Sequence, residues 1–307
     1  MKNNKISMSQ LAKICGVSQG TVDRALHNRV GINKETRDHI LTMAKKYGYR
    51  PNGTLNTDKK SGMIGIIVFD LYNEYFSELI VEIERKLRSR GYYSIVMFSD
   101  KNPKVEKECV EALYNAGADA IIICPVNGGA EFSEYLRSWK IPIVTFGNKV
   151  ENIKYVGIDN FNAMQELTQY IISKNKKELI YYSPALKTNG PNLYAQIERF
   201  EGFKSVVNKY SLKLNVLYDE DTLKKTVNEN SMVIASTDYY ALKLVFSGIV
   251  RAENISGFDN IGTIEKFNLK IVSVSCDKEK IASVIFDYIT NGGDDNDSFT
   301  PYEISNK

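Results

Sequence analysis

The sequence predicts a small all-α headpiece built on a helix-turn-helix, followed by an α/β body of two doubly wound parallel-sheet lobes. Three observations carry this reading. Residues 7–28 hold two short amphipathic helices, each with its own cap, on either side of a glycine turn. From Met63 onward, short apolar runs alternate with amphipathic stretches, the signature of β-α-β units whose sheet is covered on both faces. These runs are too many for one comfortable sheet, and the alternation starts afresh near Asp159. A chain of 307 residues with 43% apolar content has room for two or three compact units with sizeable cores.

In the first stretch, SMSQLAKICGVSQGTVDRALHN, Ser7 is the opening N-cap, and Leu11, Ile14 and Cys15 recur at helical spacing. Gly16 sits where this helix must stop, because glycine takes a left-handed backbone without steric cost. Val17 pins the turn and Ser18 caps the next helix. That helix puts Val22, Ala25 and Leu26 on one face and leaves Gln19, Thr21, Asp23, Arg24 and His27 elsewhere. A short second helix with a polar first turn is what a DNA major groove admits. A third helix runs from about residue 34 to 46, capped by Asn33, with Thr36, Ile40, Met43, Ala44 and Tyr47 as its stripe and Gly48 as its stop.

Residues 51–62, PNGTLNTDKKSG, are polar and turn-rich and read as a linker. The division is therefore a headpiece over 1–50, a hinge or tether over 51–62 and a body over 63–307. Within the body, lobe 1 takes about 63–158 plus 277–297, and lobe 2 about 159–276 plus 298–307. Strands are expected at 63–69, 92–98, 141–147 and 154–158 and within AGADAIIICP in the first half, and at 178–183, 212–218, 232–236, 255–258 and 269–275 in the second. Helices fall near 74–90, 103–116, 160–174 and 193–209.

The net charge of +3 hides an asymmetry: residues 1–60 carry +8 and the remainder −5. A basic head on an acidic body suggests that the head alone meets a polyanion. The four cysteines are scattered and form no CxxC pair, which gives no disulfide framework and no zinc site. Both histidines, His27 and His39, lie in the headpiece, so the body holds neither a Ser-His-Asp triad nor an imidazole metal site. No GxGxxG or GxxxxGK[ST] motif is present; no cofactor or metal is expected, and the chain does not read as an enzyme. The first residues lack the apolar core of a signal peptide and no apolar run is long enough to span a membrane, so a cytoplasmic location is expected.

The first stretch resembles the headpiece of the LacI/GalR family of bacterial transcription regulators, with Leu11, Ala12, Gly16, Val17, Ser18, Thr21, Val22, Arg24 and Leu26 in matching places. The likeness runs on through TRDHILTMAKKYGYRPN and, more weakly, along the whole chain. It implies that Gln19, Gly20 and Arg24 face bases, while Ser7, Ser18, Thr21, His27 and Asn33 touch phosphates. Two departures stand out: Gly20 has no side chain to read with, and Asp23 replaces the usual serine. In the family the linker forms a hinge helix that enters the minor groove. Here Gly53, Thr54, Asn56 and Thr57 break its pattern and Leu55 alone could wedge between base pairs; a plain tether is the alternative. The family's body is the two-lobed, periplasmic-binding-protein-like fold.

Open parallel sheets bind ligands beyond the carboxyl ends of their strands. There the sequence places Asp70, Ser99, Asp100, Asn148 and Asp159 in one half, and Ser183, Asp219, Thr237, Asp238 and Asp259 in the other. Tyr72, Tyr75 and Phe76 follow the first strand, and Phe146 and Phe258 sit beside others. Small polar groups mixed with aromatic faces suit a polyhydroxylated molecule such as a sugar, although at least half of these side chains could simply cap the next helix. By the resemblance, Arg199 of IERFEGF clamps ligand oxygens, Asp259 of SGFDN is a sugar contact, and Thr237 stands where an asparagine is usual. Cys276 stands where the family has glutamine, and Gly147-Asn148 where it has Asp-Arg. The expectation is a homodimeric repressor that binds a palindromic double-stranded operator under control of a carbohydrate held between the lobes. An exported sugar-binding receptor and a cytosolic sugar-acting enzyme are the alternatives.

Overall fold

The computed structural model describes residues 6–26, 31–47, 49, 61–174, 178–188, 190 and 192–305. In the headpiece, α1 (Met8–Cys15) opens on a reciprocal capping box: the Gln10 amide donates to Ser7 Oγ at 3.2 Å, and the Ser7 amide donates to Gln10 Oε1 at 2.7 Å. Gly16, at φ 67°, closes the helix as a left-handed cap. Ser18 Oγ accepts from the Thr21 amide at the start of α2 (Gln19–Leu26), and Asn33 Oδ1 from the Thr36 amide at the start of α3 (Lys34–Tyr47). Leu11, Ala12, Val22, Ala25, Ile40, Ala44 and Tyr49 form the shared core. Ile14 is not part of it: α1 turns Met8, Leu11, Ala12 and Cys15 inward at i, i+3, i+4, i+7, which leaves Ile14 exposed on the flank. His27, Gly48 and Leu55, and with Leu55 almost all of the expected hinge, lie outside the described residues.

The body alternates as its sequence requires. The first lobe contains β1 (Met63–Val68), α4 (Glu74–Arg88), β2 (Tyr93–Phe98), α5 (Pro103–Asn115), β3 (Ala120–Ile123), α6 (Gly129–Arg137), β4 (Ile143–Thr145) and β5 (Lys154–Gly157). The second contains α7 (Asn160–Lys174), β6 (Glu178–Tyr182), α8 (Tyr194–Lys209), β7 (Val216–Leu217), α9 (Glu220–Thr226), β8 (Ser231–Ala235), α10 (Asp238–Phe246), β9 (Ile255–Asp259), α11 (Gly262–Lys266) and β10 (Val272–Cys276). Then α12 (Lys278–Asn291) returns to pack on α4, β11 (Ser298–Phe299) joins β5, and β12 (Tyr302–Ser305) joins β10.

The two sheets repeat one topology. Strand order is β2-β1-β3-β4-β5-β11 in the first and β7-β6-β8-β9-β10-β12 in the second, parallel throughout except for the antiparallel β10–β12 edge. Inner strands such as β1 and β8 are buried along their whole length, which is why they read as unbroken apolar runs. The chain crosses between lobes after β5, after β10 and after β11. The expected last boundary at 297/298 moves to residues 300–301, because β11 pairs with Val156 and Gly157 of the first sheet before the chain crosses. The strand expected over 212–218 shrinks to β7, because only Tyr181 and Tyr182 of β6 offer it a ladder, leaving Leu212 and Leu214 exposed at the edge.

Candidate functional site

Two surfaces bear chemistry. On the headpiece, Gln19, Gly20 and Arg24 lie exposed on α2, with Thr21 half-buried. Ser7, Ser18 and Asn33, expected at phosphates, each spend a side-chain oxygen on a helix cap, and Ser18 and Thr21 pair through their hydroxyls at 2.9 Å. The headpiece meets lobe 1 through Lys45 of α3, whose ammonium lies 4.6 Å and 4.4 Å from the ring centroids of Tyr135 and Trp139. Burial lowers the pKa of Lys45 from its ordinary value, with partial compensation from Glu111.

Between the lobes, at the carboxyl ends of both sheets, is a cavity of about 470 Å³. Asp70, Tyr72, Phe76 and Asn148 line it from lobe 1, and Arg199, Thr237 and Asp259 from lobe 2, so the structure gathers these sequence-expected residues around one space. Phe76 is held edge-on by Phe69, Tyr75 and Phe146, at centroid distances of 4.9, 5.3 and 6.3 Å. Tyr72 projects at the rim, 79% exposed.

Arg199, on α8, is almost fully buried, and its donors are already directed. Nε donates to Asn160 Oδ1 at 2.8 Å, Nη1 to the Ser236 carbonyl at 2.8 Å and Nη2 to Asp259 Oδ1 at 3.2 Å. Its guanidinium lies 3.6 Å from the centre of the Phe258 ring. Asp259 sits at φ 112°, where an L-residue is strained. Asn73 Nδ2 donates to its other oxygen at 3.4 Å, and Lys278 Nζ approaches its carbonyl at 3.4 Å. Burial raises the Asp259 pKa, and the Arg199 charge opposes that rise.

Two expected residues are not in the lining. Asp159 instead caps α7, accepting from the Asn162 amide at 3.0 Å and from Asn162 Nδ2 at 2.7 Å. Asp238 lies beneath the cavity, fully buried, accepting from Ser273 Oγ at 2.8 Å and from the Ile261 amide at 3.0 Å. Gly257 leaves the space it occupies, since a Cβ there would overlap Asp238 Oδ1. With burial first and the neighbouring Asp259 second, the Asp238 pKa is pushed up to about 7. Other strand-end candidates also prove to be local partners: Asp219 caps α9, and Ser183 donates to Gln196 Oε1 at 3.0 Å.

The lining also includes residues that strand-end reasoning missed, notably Asn73, Tyr155, Asn160, Asn192 and Gln196. Gln196 could have been found, one helical turn before Arg199 on the same helix. Gly147, where the resemblance leads one to expect an aspartate, has φ 66°, and a Cβ there would stand 2.8 Å from Cys124 Sγ. The backbone has no room for a side chain at that point. Cys276 lines the cavity with its thiol pushed up to about 11, chiefly by burial.

Both walls are tied to each other. Glu78 Oε1 accepts from the Gly262 amide at 2.8 Å, and Glu74 accepts from the Thr263 amide at 3.2 Å and from Lys266 Nζ at 3.1 Å. On the opposite side Asn192 Nδ2 donates to the carbonyls of Asn127 and Lys149, at 2.9 and 3.0 Å. Among the described residues no cluster of His, Cys, Asp and Glu could hold a metal ion.

Comparison with known proteins matches both parts of the chain. Residues 7–52 match the model for bacterial regulatory proteins of the lacI family, and residues 64–291 match a periplasmic binding protein domain. Catabolite control protein A of Staphylococcus epidermidis is 30% identical over 229 residues, covering 73% of this chain and 67% of that protein. A LacI-family regulator from Silicibacter pomeroyi superimposes with a TM-score of 0.66 at 20% identity, over 98% of both chains. The regulator CelR in complex with cellobiose gives 0.64 at 18% identity, again over 98% of both chains. At these identities the two structures speak for the fold.

Proposed function

The chain belongs to the LacI family of bacterial regulatory proteins and is a DNA-binding transcriptional regulator, and from that premise we propose that its interlobe cavity is the sensor for a sugar-class effector. The observation that carries this reading is the buried Arg199–Asp259 pair on the cavity wall. A hydroxyl both donates and accepts, so a polyol can engage the remaining N–H groups of the arginine and the open lone pairs of the aspartate together. Phe76 and Tyr72 at the rim offer aromatic surface for the C–H face of a sugar. Cellobiose in the CelR complex is a ligand of the same kind. Effector binding across both walls favours one lobe arrangement, and the operator-binding equilibrium shifts with it.

The same reading gives the headpiece its partner. Exposed Gln19 and Arg24 read base edges from the major groove, while the exposed backbone around Gly20 approaches the duplex closely. A palindromic site requires two headpieces, and lobe 1 offers a face for a second copy of this chain. The edge strand β2 exposes Tyr93, Ile95 and Phe98 beside a half-exposed Val81 on α4. Such a regulator works in the cytoplasm; no described helix is long and apolar enough to cross a membrane.

Selection of bound duplexes from a random library with the full chain tests the regulator side. It should return a two-fold-symmetric site. Arg24→Ala should weaken binding to that site by about 1–3 kcal/mol while leaving scrambled duplex nearly unaffected. Equal losses on both duplexes would make Arg24 a phosphate contact, and an asymmetric site bound by a single chain would contradict the dimer.

A further inference from the structure

We propose that the cavity selects a neutral, unphosphorylated saccharide and excludes sugar phosphates; this rests on the reading of the cavity as a sugar sensor and narrows it. Among the described residues, the charged side chains that line the cavity are paired within the chain. Arg199 faces Asp259 at 3.2 Å with both side chains nearly buried, and Lys101 faces Asp70 at 2.8 Å near the mouth. A phosphate ester brings close to two negative charges and three acceptor oxygens. To be held it needs an unneutralised guanidinium fork or ammonium, or open amides at a helix N-terminus.

Among the described residues of the lining, no unneutralised guanidinium fork or ammonium is on offer. Three directions of the Arg199 guanidinium are committed to Asn160, the Ser236 carbonyl and Asp259, and one face is covered by Phe258. The N–H groups left, one on each Nη, can meet a hydroxyl, while an anion brought to them meets a guanidinium whose charge Asp259 already neutralises. The helix starts that look into the cavity already carry oxygens of the chain itself. Asn73 Oδ1 accepts from the Tyr75 amide at 3.1 Å at the start of α4, and Thr237 Oγ1 accepts from the Tyr240 amide at 3.3 Å at the start of α10. At the start of α8, Asn192 Oδ1 and Asn148 Oδ1 accept from the Tyr194 and Ala195 amides, at 3.2 and 3.3 Å. Asp259, buried and unscreened, would in addition repel any anion brought against Arg199. Hydroxyls meet none of these obstacles, because they donate a hydrogen bond to Asp259 and accept one from Arg199 without changing the charge of the site.

The test is calorimetry on the full chain with matched pairs: glucose and glucose 6-phosphate, fructose and fructose 1-phosphate, ribose and ribose 5-phosphate, with cellobiose and inorganic phosphate alongside. The expected result is binding of at least one neutral sugar, with its phosphorylated partner at least about 100-fold weaker (a gap of 2.8 kcal/mol or more) and no heat from inorganic phosphate. The cause is tested by Asp259→Asn, which leaves Arg199 unneutralised, and by Asp70→Asn, which frees Lys101 from the exposed side. In whichever of these keeps the natural circular dichroism spectrum, the gap between neutral and phosphorylated forms should shrink at least tenfold, even where neutral affinity falls. A phosphorylated sugar that binds the natural chain more tightly than its neutral partner would overturn the proposal and leave the sugar-sensor reading standing. A gap unchanged in both folded variants would also overturn it. Absence of binding by every sugar, of either kind, would defeat both readings.

Discussion

The bends at the carboxyl ends of β4 and β9 occupy the same place in the two sheets, and both approach the same cavity. In lobe 1 the residues are Phe146, Gly147 and Asn148; in lobe 2 they are Phe258, Asp259 and Asn260. Both bends need a positive φ at the middle residue, 66° at Gly147 and 112° at Asp259. Lobe 1 meets that need with glycine, at no steric cost, and the bare backbone fits against Cys124 and Phe76. Lobe 2 meets it with an aspartate held in place by Arg199 and Asn73, at a backbone cost of order 1–3 kcal/mol. The fold repeats while the chemistry does not. Strain is retained where a charged side chain has to reach the cavity and relieved where none is needed.

The sharpest way to break this comparison is to exchange the two solutions. Gly147→Ala should destabilise the body by about 2–4 kcal/mol, from the left-handed backbone and from overlap with Cys124 Sγ. Urea unfolding reads this directly. A loss below about 0.5 kcal/mol would mean that the lobe 1 turn is looser than its packing indicates. Asp259→Gly, by contrast, relieves the backbone but strands the Arg199 charge, so it should lose ligand binding more surely than stability.

A second, smaller effect sharpens the lobe 2 side. Asp238 lies under the strained turn with its pKa pushed up to about 7. Protons therefore bind it more tightly in the folded chain than in the unfolded one. Its contribution favours folding fully below the unfolded value near 4 and is lost as pH rises through 7, at up to about 1.4 kcal/mol per pH unit. Asp238→Asn keeps an acceptor for the Ile261 amide and places an amide donor near Ser273. It should raise the melting temperature at pH 8, equivalent to about 1 kcal/mol or more relative to its effect at pH 5, where most of the carboxyl's contribution is still present. An equal change at both pH values would show that the carboxyl does not titrate in this range.

The smallest expected effect is at the contacts that draw the two turns together. Glu74 and Glu78 grip the start of α11, and Glu74 is held below its ordinary pKa by Thr263 and Lys266, against the opposing pull of its partial burial. These groups are partly exposed, so Glu74→Gln should cost less than about 1 kcal/mol. Small-angle scattering of the ligand-free chain should nevertheless register a wider separation of the lobes. A loss above about 3 kcal/mol would place Glu74 in the core energetics of the fold instead.

Much of this architecture was legible in the sequence because local rules and tertiary packing agree. The Ser7 and Asn33 caps, the Gly16 stop and the apolar runs of β1 and β8 each mark an element that the structure contains. The site was legible only in part. Asp238 and Asp259 look alike in sequence, each following an apolar run, yet Asp259 lines the cavity and Asp238, at the start of α10, is buried away from it. What separates them is the gap left by Gly257 and the unusual φ of Asp259, which are tertiary facts. The meeting of Arg199 with Asp259, sixty positions apart, depends in the same way on the tertiary placement of α8, which packs along α7. Asn73 and Asn192 act across the lobe boundary, and no spacing rule reaches that far.

The central claim is that this asymmetric turn senses a ligand on behalf of the headpiece. The direct measurement is operator affinity of the full chain, on a duplex selected in vitro, with and without whichever sugar binds in calorimetry. The natural chain should change its affinity at least about tenfold when the sugar is added. Arg199→Ala and Asp259→Asn, each checked for folding, should hold the operator as the natural chain does without sugar and fail to respond when it is added. A full response in both folded variants would contradict the account and move the sensor away from this pair.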